Sequence, residues 1–299
     1  VDIDSLSAGA SDLSVSNVET LRLDNTAGNN GAIQMDNLAV NTVRFDAAGG
    51  RGGTLTLTDV ATTITAFEMI GSGTADADPQ FNATVIDYDT TTTQDAATLT
   101  INNAGTTADD ILVGKIDMNR MAKLTITATD VGSASADEVT IDEIEADHMT
   151  DIVMSSNQEV IISKLDTSVL DNLDFSASDK GVALSDVEDA ATALSITMGD
   201  GNDSVTINKA TATETLTVDL GAGNDTYIGN VGTDTITTGT GVDTVRFLGT
   251  TTDIGNTITD FTAGAGGDVI DLTTNYAEDT VTGSEITTTA FGTITGTTT

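Results

Sequence analysis

Apolar and polar positions alternate along most of this chain with a period of two. TLRL (20–23), TVRF (42–45), TLTLTDV (54–60), ATVIDY (83–88), ATLTI (97–101), KLTITATD (123–130), EVTIDEI (138–144), EVIISKL (159–165) and ALSITM (193–198) each set aliphatic residues against Thr or charged residues. Polar turn clusters separate them at intervals of roughly 10 to 25 residues, the pattern of strands with one wet and one buried face. Helical periodicity is nearly absent, which argues against a doubly wound sheet. The least strand-like stretches are 109–124 and 181–194, where a helical turn or two is the competing expectation. Residues 1–195 therefore read as an irregular β-solenoid or layered β-structure, with an immunoglobulin-like sandwich as the alternative. Small Thr, Ala, Ser, Val and Gly side chains suit a thin core between stacked coils better than a sandwich.

From residue 198 the pattern acquires a fixed length. MGDGNDSVT (198–206) is followed by three consecutive copies of the same nonapeptide, LGAGNDTYI (220–228), GNVGTDTIT (229–237) and TGTGVDTVR (238–246). In each, six residues turn and three run as a strand. Glycine opens backbone conformations closed to other residues, so each copy makes a half-coil and two make a coil. This places Asp203, Asp225 and Asp243 on one side and Asp234 on the other, provided that the 13-residue half at 207–219 bulges outward.

Charge sharpens the picture. With 10 basic and 47 acidic residues the formal charge is −37. Of the acids 37 are Asp and 10 are Glu, a bias toward the short carboxylate used in turns and on hard metals. Coils stack about 4.8 Å apart. At that separation like charges repel by on the order of 1 to 4 kcal/mol, so the same-side carboxylates need a cation. Calcium accepts six to eight oxygens in flexible geometry, magnesium is stricter, and zinc lacks its usual ligands here, with no Cys and one His.

The four nonapeptides resemble the GGxGxDxUx repeat of the repeats-in-toxin (RTX) family, the calcium-binding parallel β-roll of proteins exported by type I secretion. The resemblance implies carboxylate ligands from Asp203, Asp225, Asp234 and Asp243. It implies backbone carbonyl ligands from the turns of Gly199 and Gly201, Gly221 and Gly223, Gly232, and Gly239 and Gly241. The first motif glycine is missing in every copy but 229–237, where Asn230 and Val231 follow Gly229 and make that turn the one expected to be distorted or empty. NTITDFTAGAGGDVIDLTT (256–274) is similar to the closing segment of such rolls, which adds Asp260, Asp268 and Asp271 as ligands. In the alternative reading Phe261, Val269, Ile270 and Leu272 cap the open end. Residues 196–275 thus read as the roll with its closing segment, and 276–299 as a Thr-rich tail or final strands. ADDILV (108–113) and ADEVTI (136–141) keep the Asp and the strand without the glycines, and read as decayed copies whose Asp caps a turn. Asp76 and Asp78 beside Pro79 read as a loop tip.

Other chemistries lack their residues. His148 has no second imidazole and no HExxH context, no GxSxG elbow occurs, and the glycine turns lack the signatures of nucleotide loops. An enzyme is not expected. The acidity repels nucleic acid and anionic membrane, and no run approaches the roughly 18 apolar residues of a membrane helix. The start, VDIDSLSAGA, has neither a basic region nor an initiator Met, so a processed or partial chain is expected. Long Thr-, Ala-, Asp- and Gly-rich repeats ahead of RTX copies are similar to bacterial surface-layer (S-layer) proteins. That likeness implies an extracellular, cell-surface structural protein that binds calcium, self-associates into a lattice or fibre and is anchored by a surface polysaccharide. The alternatives are a secreted adhesin and the export module of a larger secreted enzyme.

Overall fold

The computed structural model describes residues 18–24, 31–35, 38–47, 54–71, 80–81, 83–88, 95–104, 110–118, 120–131, 137–189, 193–208, 215–229, 232–247, 256–271 and 293–294. Successive strands alternate between a 12-stranded and a 13-stranded sheet, and each pairs in parallel with the strand of the coil before it and the coil after it. The chain is a parallel β-solenoid, and the sandwich alternative is excluded. The first sheet begins at Thr20–Asp24 and the second at Gly31–Gln34. Two short strands, Gln80–Phe81 and Leu165–Thr167, pair off the main path.

Alternation in the sequence becomes columns in space. Val43, Phe67, Leu99, Ile126 and Met154 are cross-strand partners in the first sheet. Ile111, Val139, Val160 and Val182 form the facing column in the second. All nine are buried. Each such side chain contributes about 1.5 to 3 kcal/mol of transfer energy. The seven methionines of the chain are buried too, and Met118, Met121 and Met149 sit where the second sheet turns back into the first, irregular corners that a flexible thioether fills well.

Neither helix-tolerant stretch is helical. Ile111–Asp117 and Lys123–Asp130 take up most of 109–124, and Val182–Asp189 and Ala193–Thr197 take up 181–194. No helix occurs among the described residues. The burial of Ile111, Val113 and Ile116 on one face and the ladders on both sides outweigh weak local preference.

Both sheets run through residue 195 without interruption, since Ala193–Thr197 pairs with Asn172–Asp174 on one side and Thr215–Asp219 on the other. Of 276–299 only Thr293–Ile294 is described, as a strand against Thr257–Ile258. Asp76, Asp78, Pro79, residues 209–214 of the half expected to bulge, and Leu272 lie outside the described residues. On the outer face of the second sheet Lys115 pairs with Glu143 and Glu145, and Lys164 with Glu143, Asp166 and Glu188.

Candidate metal centre

Asp203, Asp225, Asp243 and Asp268 each stand one residue ahead of a strand of the second sheet. The strands are in register: Ser204 pairs with Thr226, Thr226 with Thr244, and Thr244 with Val269. The four carboxylates therefore form one column along the corner. Each hands one oxygen to the coil below. Val182 N donates to Asp203 Oδ1 at 2.7 Å, Asp203 N to Asp225 Oδ1 at 2.7 Å, Asp225 N to Asp243 Oδ1 at 2.8 Å and Asp243 N to Asp268 Oδ1 at 3.1 Å.

The second oxygens separate the column into two kinds. Asp268 Oδ2 accepts from Thr262 N at 2.7 Å and from the Thr238 hydroxyl at 3.3 Å. Oδ2 of Asp203, Asp225 and Asp243 has no hydrogen-bond partner, although these residues are only 2%, 1% and 0% exposed. An unmet carboxylate oxygen in such a place costs about 1 to 3 kcal/mol or more. Burial accordingly pushes the Asp203 carboxyl up to about 6 against the opposing backbone amides of Val182 and Gly199. Burial also raises Asp225 to about 7, opposed by the Asp203 amide and reinforced by the charges of Asp203 and Asp243. Asp243 is raised by burial first, with Asp268 and Asp260 adding to the effect.

Beside this column the glycine turns stack. Ala222 N donates to Gly199 O and Thr240 N to Gly221 O, both at 3.0 Å, so the turns holding Gly199, Gly221 and Gly239 repeat from coil to coil. Gly223 and Gly241 require glycine. Their φ angles are +151° and +142°, and a Cβ on either would stand 1.5 Å from the carbonyl oxygen of Gly201 or Gly223 beneath it.

The remaining expected residues sit elsewhere. Asp234 lies inside the strand Thr233–Thr237 of the first sheet, with the Tyr227 hydroxyl donating to its Oδ2 at 2.8 Å and Asn256 Oδ1 accepting from its amide at 2.7 Å. Gly232 precedes that strand with φ +127°; Asn230 and Val231 lie outside the described residues. Both oxygens of Asp260 are used by the neighbouring turn, accepting from Thr238 N and Gly239 N at 2.8 Å each. Asp271 is bound by Arg246 Nε at 2.8 Å. Phe261 and Ile270 pack against the core, while Val269 is exposed. Upstream, Asp110 caps the amide of Glu138 at 3.0 Å and Asp137 accepts from the Asn103 side chain at 3.2 Å. His148 is exposed in a turn.

Sequence reasoning passed over two buried groups at this same corner. The Ser178 hydroxyl and both amide atoms of Gln158 have no partner, and the residues are 1% and 5% exposed. Neither belongs to a nonapeptide; the one available signal is Gly181, which closes the polar turn after Ser178.

Hard oxygen donors fit a calcium-type cation. Among the described residues no three His, Cys, Asp or Glu side chains converge on one point, so such an ion would complete its shell with turn carbonyls and water. Compared with known proteins, the chain matches no protein-family model, no curated protein and no solved structure.

Proposed function

We propose that this chain is a structural protein of the bacterial cell surface whose calcium-stiffened β-solenoid assembles into an S-layer or similar extracellular coat. The observation that carries the reading is the column of three buried aspartates, each with one oxygen committed to the coil below and one left without a partner. A proton or a cation satisfies such an oxygen, and at neutral pH in millimolar calcium the cation prevails. Asp203, Asp225 and Asp243 would supply the carboxylates and the turns of Gly199, Gly201, Gly221, Gly223, Gly239 and Gly241 the carbonyls. Asp234, Asp260, Asp268 and Asp271 hold coils together.

The RTX likeness of residues 198–274 supports export by type I secretion, and the length of the continuous sheets supports a load-bearing role. A surface polysaccharide is the proposed anchor. No catalytic activity is assigned. No helix long and apolar enough to cross a membrane occurs among the described residues.

Charge sets how copies meet. At −37 the chain repels itself, and a few internal calcium ions cancel only part of that charge. Lateral packing then draws on further divalent bridges between acidic faces, which monovalent salt replaces poorly because it only screens. Electron microscopy of purified protein tests this directly. Ordered sheets are expected in millimolar calcium, and soluble protein in chelator with or without added NaCl. Sheets that persist in excess chelator contradict the mechanism; isolated fibres would favour the adhesin, and dispersed protein in calcium the export module.

A further inference from the structure

Motif aspartates stand on both sides of the roll, but the unmet oxygens are all on one. Asp234 is the aspartate of the 229–237 copy and is 2% exposed. It lies in the first sheet, where Leu216 is its partner in the coil before it. Its amide donates to Asn256 Oδ1 from the coil after it at 2.7 Å, the same kind of bond that Asp225 N makes to Asp243 Oδ1 at 2.8 Å in the other column. The two backbones are therefore tied alike. The difference lies in Oδ2, which has no partner in Asp225 and accepts from the Tyr227 hydroxyl at 2.8 Å in Asp234.

Tyr227 breaks the pattern of its own ladder. Its partners in the coils below and above are Val205 and Val245, and Ile236 holds the same place in the 229–237 copy. Tyr227 is nonetheless 0% exposed and is the largest fully buried side chain among the described residues. Gly229 makes room for it. A Cβ there would lie 3.0 Å from both Cε1 and the hydroxyl oxygen of Tyr227. Its φ is not positive, so space rather than backbone conformation calls for glycine at this point. One hydroxyl thus meets Gly229 and the Asp234 carboxylate together.

We infer that Tyr227 is the residue that closes this side of the roll to cations: its hydroxyl gives Asp234 Oδ2 the partner that a divalent ion would otherwise be, so ions load the opposite column only. Calcium holds a carboxylate oxygen at about 2.3 to 2.6 Å, and the hydroxyl oxygen at 2.8 Å already takes up that approach. A buried tyrosine hydroxyl needs a partner of its own, so neither group gains by giving way. The inference rests on the calcium-binding reading above and sharpens it. One motif column is conditional on calcium and the other is satisfied from within the chain.

Equilibrium dialysis of the full chain against calcium alone, up to about 10 mM, tests it with Asp234→Asn, Asp225→Asn, Tyr227→Val and Tyr227→Phe. Asp234→Asn keeps an acceptor for the hydroxyl and is expected to bind as many ions as wild type with the same affinity, whereas Asp225→Asn is expected to lose at least one. Tyr227→Val introduces the residue that stands above and below it in the ladder, removing the donor and vacating the space, and is expected to bind one ion more than wild type. Tyr227→Phe removes the donor but keeps the ring, and is expected to gain none. Urea midpoints supply a readout that a merely structural tyrosine would not move. Both Tyr227 variants should be less stable than wild type in chelator, and calcium should recover more for Tyr227→Val than for Tyr227→Phe.

An ion lost with Asp234→Asn places Asp234 among the ligands and overturns the inference. So does a folded Tyr227→Val protein that binds only the wild-type number of ions, and if that variant does not fold, Asp234→Asn still decides. A wild-type chain that binds no calcium removes the proposed function and this inference together. Ions lost with Asp225→Asn and Asp234→Asn alike leave the proposed function standing and remove this inference alone.

Discussion

The coils before residue 198 and those after it share both sheets, yet they close their corners by different means. Upstream, an amide side chain and a carboxylate both tie one coil to the next: Asn157 and Asp130 exchange two bonds, Asp130 N to Asn157 Oδ1 at 2.9 Å and Asn157 Nδ2 to Asp130 O at 3.2 Å, and Asp110 Oδ1 accepts from Glu138 N at 3.0 Å. Ser156 Oγ donates to Gln158 O at 2.7 Å, and lysines brace the outer face. Downstream, the corner is narrowed to glycine and the tie is a carboxylate with one oxygen in use. The upstream device works within the chain. The downstream device leaves one carboxylate oxygen without a partner on a buried residue in each of three stacked coils, and under the proposed calcium reading this makes the same architecture conditional on what the solution supplies.

Calcium removal tests that contrast most strongly. Binding free energy is folding free energy for a site that the unfolded chain lacks. In excess chelator, amide exchange across 198–271 is expected to rise by orders of magnitude while 54–189 stays protected. Equal protection in calcium and chelator would erase the distinction between the halves.

Backbone substitutions come next. Gly223→Ala places a Cβ 1.5 Å from the Gly201 carbonyl oxygen at a φ of +151°, and should cost about 3 kcal/mol or more in a calcium-saturated denaturant titration. Arg120→Gly is the upstream counterpart. Arg120 already adopts φ +71°, so glycine relieves left-handed strain and should change stability by no more than about 1 kcal/mol. A tolerated alanine at 223 would show that the turns do not stack tightly.

Acid should act on the downstream half in the opposite sense to ordinary acid denaturation. Unfolded Asp titrates near 4, whereas folded Asp203 and Asp225 keep a proton up to about 6 and about 7. The folded state then binds more protons, and in chelator stability falls as pH rises through roughly 4 to 7, by on the order of a few kcal/mol. Saturating calcium should reverse the slope, since protons then compete with the ion. Asp225→Asn, which keeps an acceptor for the Asp203 amide, should flatten the dependence in both. Urea midpoints at pH 5 and pH 8 decide the matter, and a midpoint in chelator that rises with pH contradicts it. Upstream, burial raises the carboxyl of Asp117, so a smaller trend of the same sign is expected there.

The smallest effect belongs to the surface braces. Lys164 is held protonated by its bonds to Asp166 and Glu188, but a partly exposed ion pair contributes about 0 to 1 kcal/mol. Lys164→Ala should lower the thermal midpoint by a few degrees at most, and less in high salt. A loss several times larger would mean that the upstream coils too depend on charge.

Much of this was readable in advance. The alternating segments TLTLTDV, ATVIDY and KLTITATD are strands over the ranges expected, Thr54–Val60, Ala83–Tyr88 and Lys123–Asp130, because a period of two with β-branched residues has one way to bury its apolar face. Ile111–Asp117 and Val182–Asp189 were less readable, since their signal comes from neighbours on both sides rather than from their own residues. The nine-residue spacing placed Asp203, Asp225 and Asp243 in one column and Asp234 across from them. It did not show that Asp234 enters a strand and meets Tyr227, nor that Asp260 and Asp271 have both been taken by Thr238, Gly239 and Arg246.

Sequence alone determined the strands of the alternating segments, the half-coil length of the nonapeptides and the side on which each motif aspartate falls, because strand period and turn length are local properties written in consecutive residues. Tertiary structure decided which oxygens remain open. Asp203, Asp225, Asp243 and Asp268 occupy equivalent places in the ladder, yet Thr262 and Thr238 fold back to close the last, while Ser178 reaches the same corner from a coil that shows no motif. Whether a carboxylate oxygen finds a donor depends on residues 6 to 30 positions away along the chain, and only the winding of the coils brings those together.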